Sequence, residues 1–188
     1  KSNPDFFGDA KKTVYALKSI NNPEAVNLLV QLYQKGQVPE AYNSDVLSAI
    51  ARRGEAEDLD VLLDLAVSNA LGKNSRTAQL TALEEAARQR KVKPSRDLNR
   101  VVGFLESEDE AITGTALRLI GHWDMENQVD KLVQIAQTGE LNHQKAALEA
   151  LAAMSNSNAT SIAIRNFDDF ARFMIGSINA RSSLGKCD

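Results

Sequence analysis

The densest chemistry-bearing stretch of this chain runs from Arg88 to Arg100. Arg88, Arg90, Lys91, Lys93, Arg96 and Arg100 stand against Asp97 alone, a local charge of +5 over thirteen residues. Basic side chains gathered in this way bind carboxylates or phosphates, Arg through its two-pronged guanidinium and both types with apolar contact from their long stems. Arg88, Arg90, Lys91, Lys93 and Arg96 are therefore expected to form a patch whose heads point outward together and dock an acidic protein partner or a neighbouring domain. The plainer alternative is a solvated turn neutralised locally by Glu84 and Glu85. Nucleic acid fits less well, because the patch sits on a net acidic chain and has no interleaved aromatic residues to stack bases.

Other reactive residue types are sparse or ordinarily placed. The two histidines, His122 and His143, form no His-x-x-x-His spacing and no Glu-flanked zinc motif. His122 falls at a predicted helix end beside Trp123, the only tryptophan, and reads as a cationic end cap or a packed turn residue. Glu55, Glu57, Asp58, Asp60 and Asp64 are placed at the start and outer face of a helix, where the helix dipole and solvent favour them. No Gly-x-Ser-x-Gly elbow, phosphate loop or dinucleotide glycine motif is present. No catalytic residue, cofactor or metal site is expected. Cys187 stands alone, which excludes a disulfide framework and a cysteine-cluster metal site within these residues.

The elements that must position the basic stretch are helical. The chain has 188 residues, 43% hydrophobic and 5% aromatic, with a net charge of −3. That is enough apolar material for a real core in one domain, and too little excess charge for a generally basic nucleic-acid or membrane-surface protein. No apolar run is long enough to span a membrane. The chain opens at Lys1 without a signal-like stretch and reads as a piece of a longer protein, with monomer as the expected state.

Four apolar stripes share the spacing i, i+3, i+4, i+7, which lines one face of an α-helix. They are Val26, Leu29, Val30, Tyr33; Leu59, Leu62, Leu63, Ala66; Leu98, Val101, Val102, Leu105; and Val129, Leu132, Val133, Ala136. Successive stripes lie 33, 39 and 31 residues apart, and a weaker copy runs through Ile162 and Ala163. A companion helix precedes each one, through Val14, Ala16, Leu17; Leu47, Ala49, Ile50; Leu83, Ala86; Leu117, Leu119, Ile120; and Leu148, Ala150, Leu151. Helix, turn, helix at this period predicts an all-α fold, an α-solenoid of HEAT-like pairs (an armadillo-type superhelix) with about five repeats and ten or eleven helices. One domain, 1–188, divides into units of approximately 9–36, 40–69, 74–107, 109–139 and 141–180. Leu29, Leu62, Val101 and Leu132 are expected in its inner layer. Breakers or caps stand where helices should meet: Asn22-Pro23, Gly36, Gly54-Glu55, Asn69, Pro94, Asp124 and Gly139. The third unit carries three extra residues in its turn, within the basic stretch. Phe167, Phe170 and Phe173 read as a cap over the end of the stack.

Residues 12–138 carry a more specific likeness. The segments KGQVPEAYNSDVLSAIARRG and AARQRKVKPSRDL, followed by EDEAITGTALRLIGHW, resemble the HEAT-like region of large bacterial multidomain proteins. Those are secreted or membrane-bound dehydrogenase-like proteins with a c-type haem domain, common in Planctomycetes, Verrucomicrobia and Bacteroidetes. There the region joins a sorbosone-dehydrogenase-like propeller to a C-terminal cytochrome. The resemblance implies a periplasmic or extracellular spacer beside redox domains and no activity of its own, since no Cys-x-x-Cys-His motif occurs here. Within that layout Cys187 reads as a tail thiol, or alternatively as the first residue of a haem-attachment motif. A contrasting reading is an enzyme on HEAT-like repeats, resembling alkyl-purine DNA glycosylases or bilin lyases.

Overall fold

The computed structural model describes residues 22–155 and, beyond them, the single positions Ala159, Ser161 and Arg165. The stripe at Val14–Leu17, the copy at Ile162 and Ala163, the three C-terminal Phe and Cys187 lie outside the described residues. Among those described there are seven α-helices, three 3-10 segments and no strand. The domain is all-α.

Local chemistry sets the helix ends. Helix α1 (Pro23–Gln34) starts where the Asn22 side chain accepts from the Glu24 N–H at 2.9 Å, and Gly36 follows its end at φ +63°. A 3-10 turn (Glu40–Tyr42) leads into α2 (Asn43–Arg53), which stops at Gly54. Helix α3 (Ala56–Ser68) opens with a reciprocal capping box between Glu55 and Asp58 and ends on Asn69 in the left-handed region. Helix α4 (Lys73–Arg90) closes on Lys91, also left-handed at φ 58°. Asp109 caps α5 (Glu110–His122) by accepting from Ala111 and Ile112 N–H. A short 3-10 turn (Glu126–Gln128) precedes α6 (Val129–Thr138), and α7 (Leu141–Ala153) follows Gly139.

The helices form two layers. In the first, α2 packs on α4, α4 on α5 and α5 on α7. In the second, α1 packs on α2 and α3, α3 packs mainly on α4, the 98–106 segment on α5, and α6 on α7. The expected stripe residues Leu29, Leu62, Val101 and Leu132 are all buried between the layers. Small residues allow the first-layer helices to approach closely. Ala146, Ala147 and Ala150 of α7 are buried, and a Cβ on Gly121 of α5 would lie 2.4 Å from the Ala150 carbonyl oxygen.

One predicted α-helix takes another form. The stripe Leu98, Val101, Val102, Leu105 lies in a nine-residue 3-10 helix, Leu98–Glu106, instead of an α-helix. With three residues per turn, positions 98, 101 and 104 share one edge. Phe104 is accordingly buried beside Val101, while Val102 and Leu105 are only partly covered. Asp97 caps the start by accepting from Asn99 N–H at 3.0 Å, and the buried Thr113 hydroxyl donates to the Phe104 and Ser107 carbonyls at the other end. The Phe104 carbonyl near the end of this tight helix thus receives a donor from α5 besides the Ser107 N–H.

Candidate interaction site

The basic stretch begins on the last turn of α4 and runs through the loop 91–97 into the 3-10 helix. Its heads do not point outward as one group. Arg90 turns toward α2: its Nε donates to the Ala51 carbonyl at 3.0 Å and its Nη2 to that of Gly54. Those are carbonyls left without intrahelical partners at the end of α2, so Arg90 serves as a cap supplied by the next helix. Lys93 reaches the other way, its Nζ donating to the Trp123 carbonyl at the end of α5 at 3.4 Å. Arg96 and Arg100 turn to α3, where each meets Asp64 at 2.5 Å. Arg88 and Lys91 are exposed.

The acids that neutralise the stretch differ from those expected. Glu84 is held by Arg118, its two oxygens 2.8 and 3.2 Å from Nε and Nη2. Glu85 pairs with Arg52 at 3.3 Å. Asp60 and Asp64 of α3 take the role instead, and Asp60 is buried, not on the outer face of the helix. Asp60 accepts from the Ser95 hydroxyl at 2.5 Å and the Arg96 N–H at 3.0 Å, with the Arg96 guanidinium 3.8 Å away. A buried carboxylate is stable only when its lone pairs find donors, and the lengthened loop supplies them. The signal for these partners was present in the spacing: Asp60 lies 36 residues before Arg96, and Asp64 36 residues before Arg100.

This arrangement makes the loop a staple rather than a free projection. Asp60→Ala leaves the Ser95 hydroxyl and Arg96 N–H without their acceptor, and should destabilise the fold by about 1–3 kcal/mol. Urea unfolding followed by circular dichroism measures it. A midpoint equal to that of the wild type would show that the loop docks without this carboxylate.

His122 is half-buried at the end of α5 with its Nδ1 enclosed and unpartnered. Burial pushes its pKa below the ordinary 6.5, Glu84 acts in the opposite direction, and Lys91, Arg88 and Arg118 add to the lowering. It is thus a packed neutral residue, of the two readings its position allowed. In the unfolded chain the ring takes a proton at its ordinary value, and in the folded chain only at lower pH. Stability therefore falls as pH drops below about 6.5, and the loss is complete once pH passes beneath the folded value. Urea midpoints from pH 8 to about pH 5 should fall more steeply in the wild type than in His122→Gln. Parallel curves would exclude His122 as the source.

Two clefts lie away from this loop. One of about 460 Å³ is lined by Tyr33, Glu40, Asn43, Lys73 and Ser75, and one of about 390 Å³, between α2 and α4, shares Asn74 with it. Burial raises the Tyr33 phenol above its ordinary pKa, and its oxygen accepts from the buried Gln79 amide at 3.2 Å. Lys73 is paired with Asp109 at 3.1 Å. Among the described residues no three His, Cys, Asp or Glu side chains gather as a metal-binding group, and no helix is long and apolar enough to cross a membrane. Trp123, at the end of α5, is buried. Comparison with known protein families, curated proteins and solved structures gives no match to this chain.

Proposed function

We propose that the chain is a non-catalytic HEAT-like solenoid module that holds a protein partner or spaces neighbouring domains of a longer protein. The observation that supports it most is the reach of the polar contacts. Arg52–Glu85, Glu84–Arg118, Asp60–Ser95, Lys73–Asp109, Glu110–Asn142 and Asp124–Ser155 join residues 31 to 36 positions apart. That separation is one repeat of the apolar stripes. A structure in which each unit bonds to the next is the arrangement of a repeat array, whose extended surface serves binding and spacing.

The resemblance of residues 12–138 extends the proposal to a setting: a periplasmic or extracellular linker between a dehydrogenase-like propeller and a cytochrome c domain. The test is small-angle scattering of the chain and of the full-length gene product. An elongated, curved envelope for the chain, with flanking domains held at a fixed separation, is the expected result. A compact envelope would overturn the solenoid. Excision of alkylated bases or bilin transfer by the purified chain would replace the module with an enzyme.

A further inference from the structure

We propose that the rim formed by the C-terminal ends of α2, α4 and α5 binds an extended acidic peptide segment carrying a carboxylate at every third residue. The inference rests on the interaction-module reading and names its partner class.

The rim follows from register. Matching the buried pair Leu47 and Ile50 of α2 to Leu83 and Ala86 of α4, and to Leu117 and Ile120 of α5, places Arg52, Arg88 and His122 at one equivalent position. The three helices are neighbours, α2 on α4 and α4 on α5. Cross-links on the same faces hold that register, Arg52 to Glu85 and Arg118 to Glu84. The equivalent residues therefore form a row across the first layer. Lys91 adds to its middle rung, and Lys93 reaches the Trp123 carbonyl beside its last one.

The row presents positive charge outward. Arg52, Arg88, Lys91, Lys93 and Arg118 share the rim with Glu84 and Glu85 of α4, and with Glu55 and Asp124 just past the ends of α2 and α5. The α4 carboxylates sit lower: the Glu85 side chain is 22% exposed against 66% for its partner Arg52, and that of Glu84 is 16% exposed. Arg88 and Lys91 are exposed. The excess favours an acidic ligand. A base-stacking ligand is disfavoured, because the aromatic residue beside the row, Trp123, is buried.

Spacing selects the ligand's form. Packed helix axes lie about 8–10 Å apart. A chain extended in the polyproline-II form advances about 3.1 Å per residue with three residues per turn, so every third side chain falls on the same side, about 9 Å further along. A carboxylate at every third position meets each rung in turn, Arg52, then Arg88 with Lys91, then Lys93 beside the neutral His122. Adjacent carboxylates crowd onto one rung.

The experiment is fluorescence anisotropy with two labelled nine-residue peptides of identical composition. One has Glu at positions 2, 5 and 8 among Gly, Ser and Thr, and the other has its three Glu adjacent. Each further rung adds an exposed ion pair worth a few-fold in affinity, so the spaced peptide should bind about tenfold more tightly. Arg88→Glu with Lys91→Glu should remove about tenfold of that affinity, and high salt should weaken it further. Both substituted side chains are exposed, and an unchanged circular dichroism melt verifies that the variant is folded. Equal affinity of the two peptides, or indifference to the double reversal, overturns the proposal. An oligonucleotide of equal charge that binds more tightly than the spaced peptide also overturns it, in favour of phosphate recognition. The scattering envelope that tests the module is read without any ligand, so the two failures are separable.

Discussion

Gly121→Ala should lower the melting temperature by about 6–12 °C. Gly121 lies in the last turn of α5, where that helix crosses α7. A Cβ there would fall 2.4 Å from the Ala150 carbonyl oxygen and 2.5 Å from its Cα. Both are backbone atoms, and neither can swing aside as a long side chain would. The two helices must separate, and the buried row Ala146, Ala147 and Ala150 loses its close contact with α5. Overpacking of this kind costs about 3 kcal/mol, which in a chain of this size corresponds to that temperature shift. Gly114, on the same helix, supplies the control. Its added Cβ would meet only the Arg118 Nη1, at an ordinary 3.5 Å. Gly114→Ala should therefore stabilise by about 0.5–1 kcal/mol through helix propensity. Thermal melts of the two variants should move in opposite directions. Equal and opposite failure of this pattern, with Gly121→Ala neutral, would mean that α5 and α7 do not cross as closely as described.

Leu62→Ala should cost about 2–5 kcal/mol. Leu62 is fully buried on α3, within the stripe that faces the first layer, and truncation leaves a cavity that the tightly packed α4 cannot fill. Leu141, 53% exposed, is the matched comparison. Leu141→Ala should stay within about 0.5 kcal/mol of the wild type, since surface substitutions away from special features rarely do more. Urea unfolding of both variants gives the difference directly. A Leu62→Ala midpoint close to that of Leu141→Ala would remove α3 from the core.

The apolar stripes were legible because burial imposes a period, and three of the four second-layer stripes are α-helical as their spacing required. The stripe beginning at Leu98 was misread for a physical reason. Leu98 and Val101 fit the i, i+3 step of either helix type, and the choice between Leu105 and Phe104 as the next core residue separates them. Both are large and apolar. The fate of the basic side chains was less legible still. Whether Arg90 faces solvent or the end of α2 depends on which carbonyls the neighbouring helix leaves open, a property of stacking and not of local sequence. His122 could likewise be placed at a helix end, but its neutral state follows from how deeply that end is packed.

The short reach of the long-range polar contacts has a consequence for how the molecule comes into being. The longest of those described joins Tyr33 to Gln79, 46 residues away. A segment leaving the ribosome therefore needs to wait only for the following few dozen residues before its polar groups find their partners. Closing such loops costs little entropy, and proteins dominated by nearby contacts fold quickly. During synthesis α1 can dock once α2 and α3 have emerged, and Asp60 can receive Ser95 and Arg96 while α5 is still inside the tunnel. Early pairing of neighbouring segments keeps the exposed apolar surface small while synthesis continues, and with it the target for aggregation.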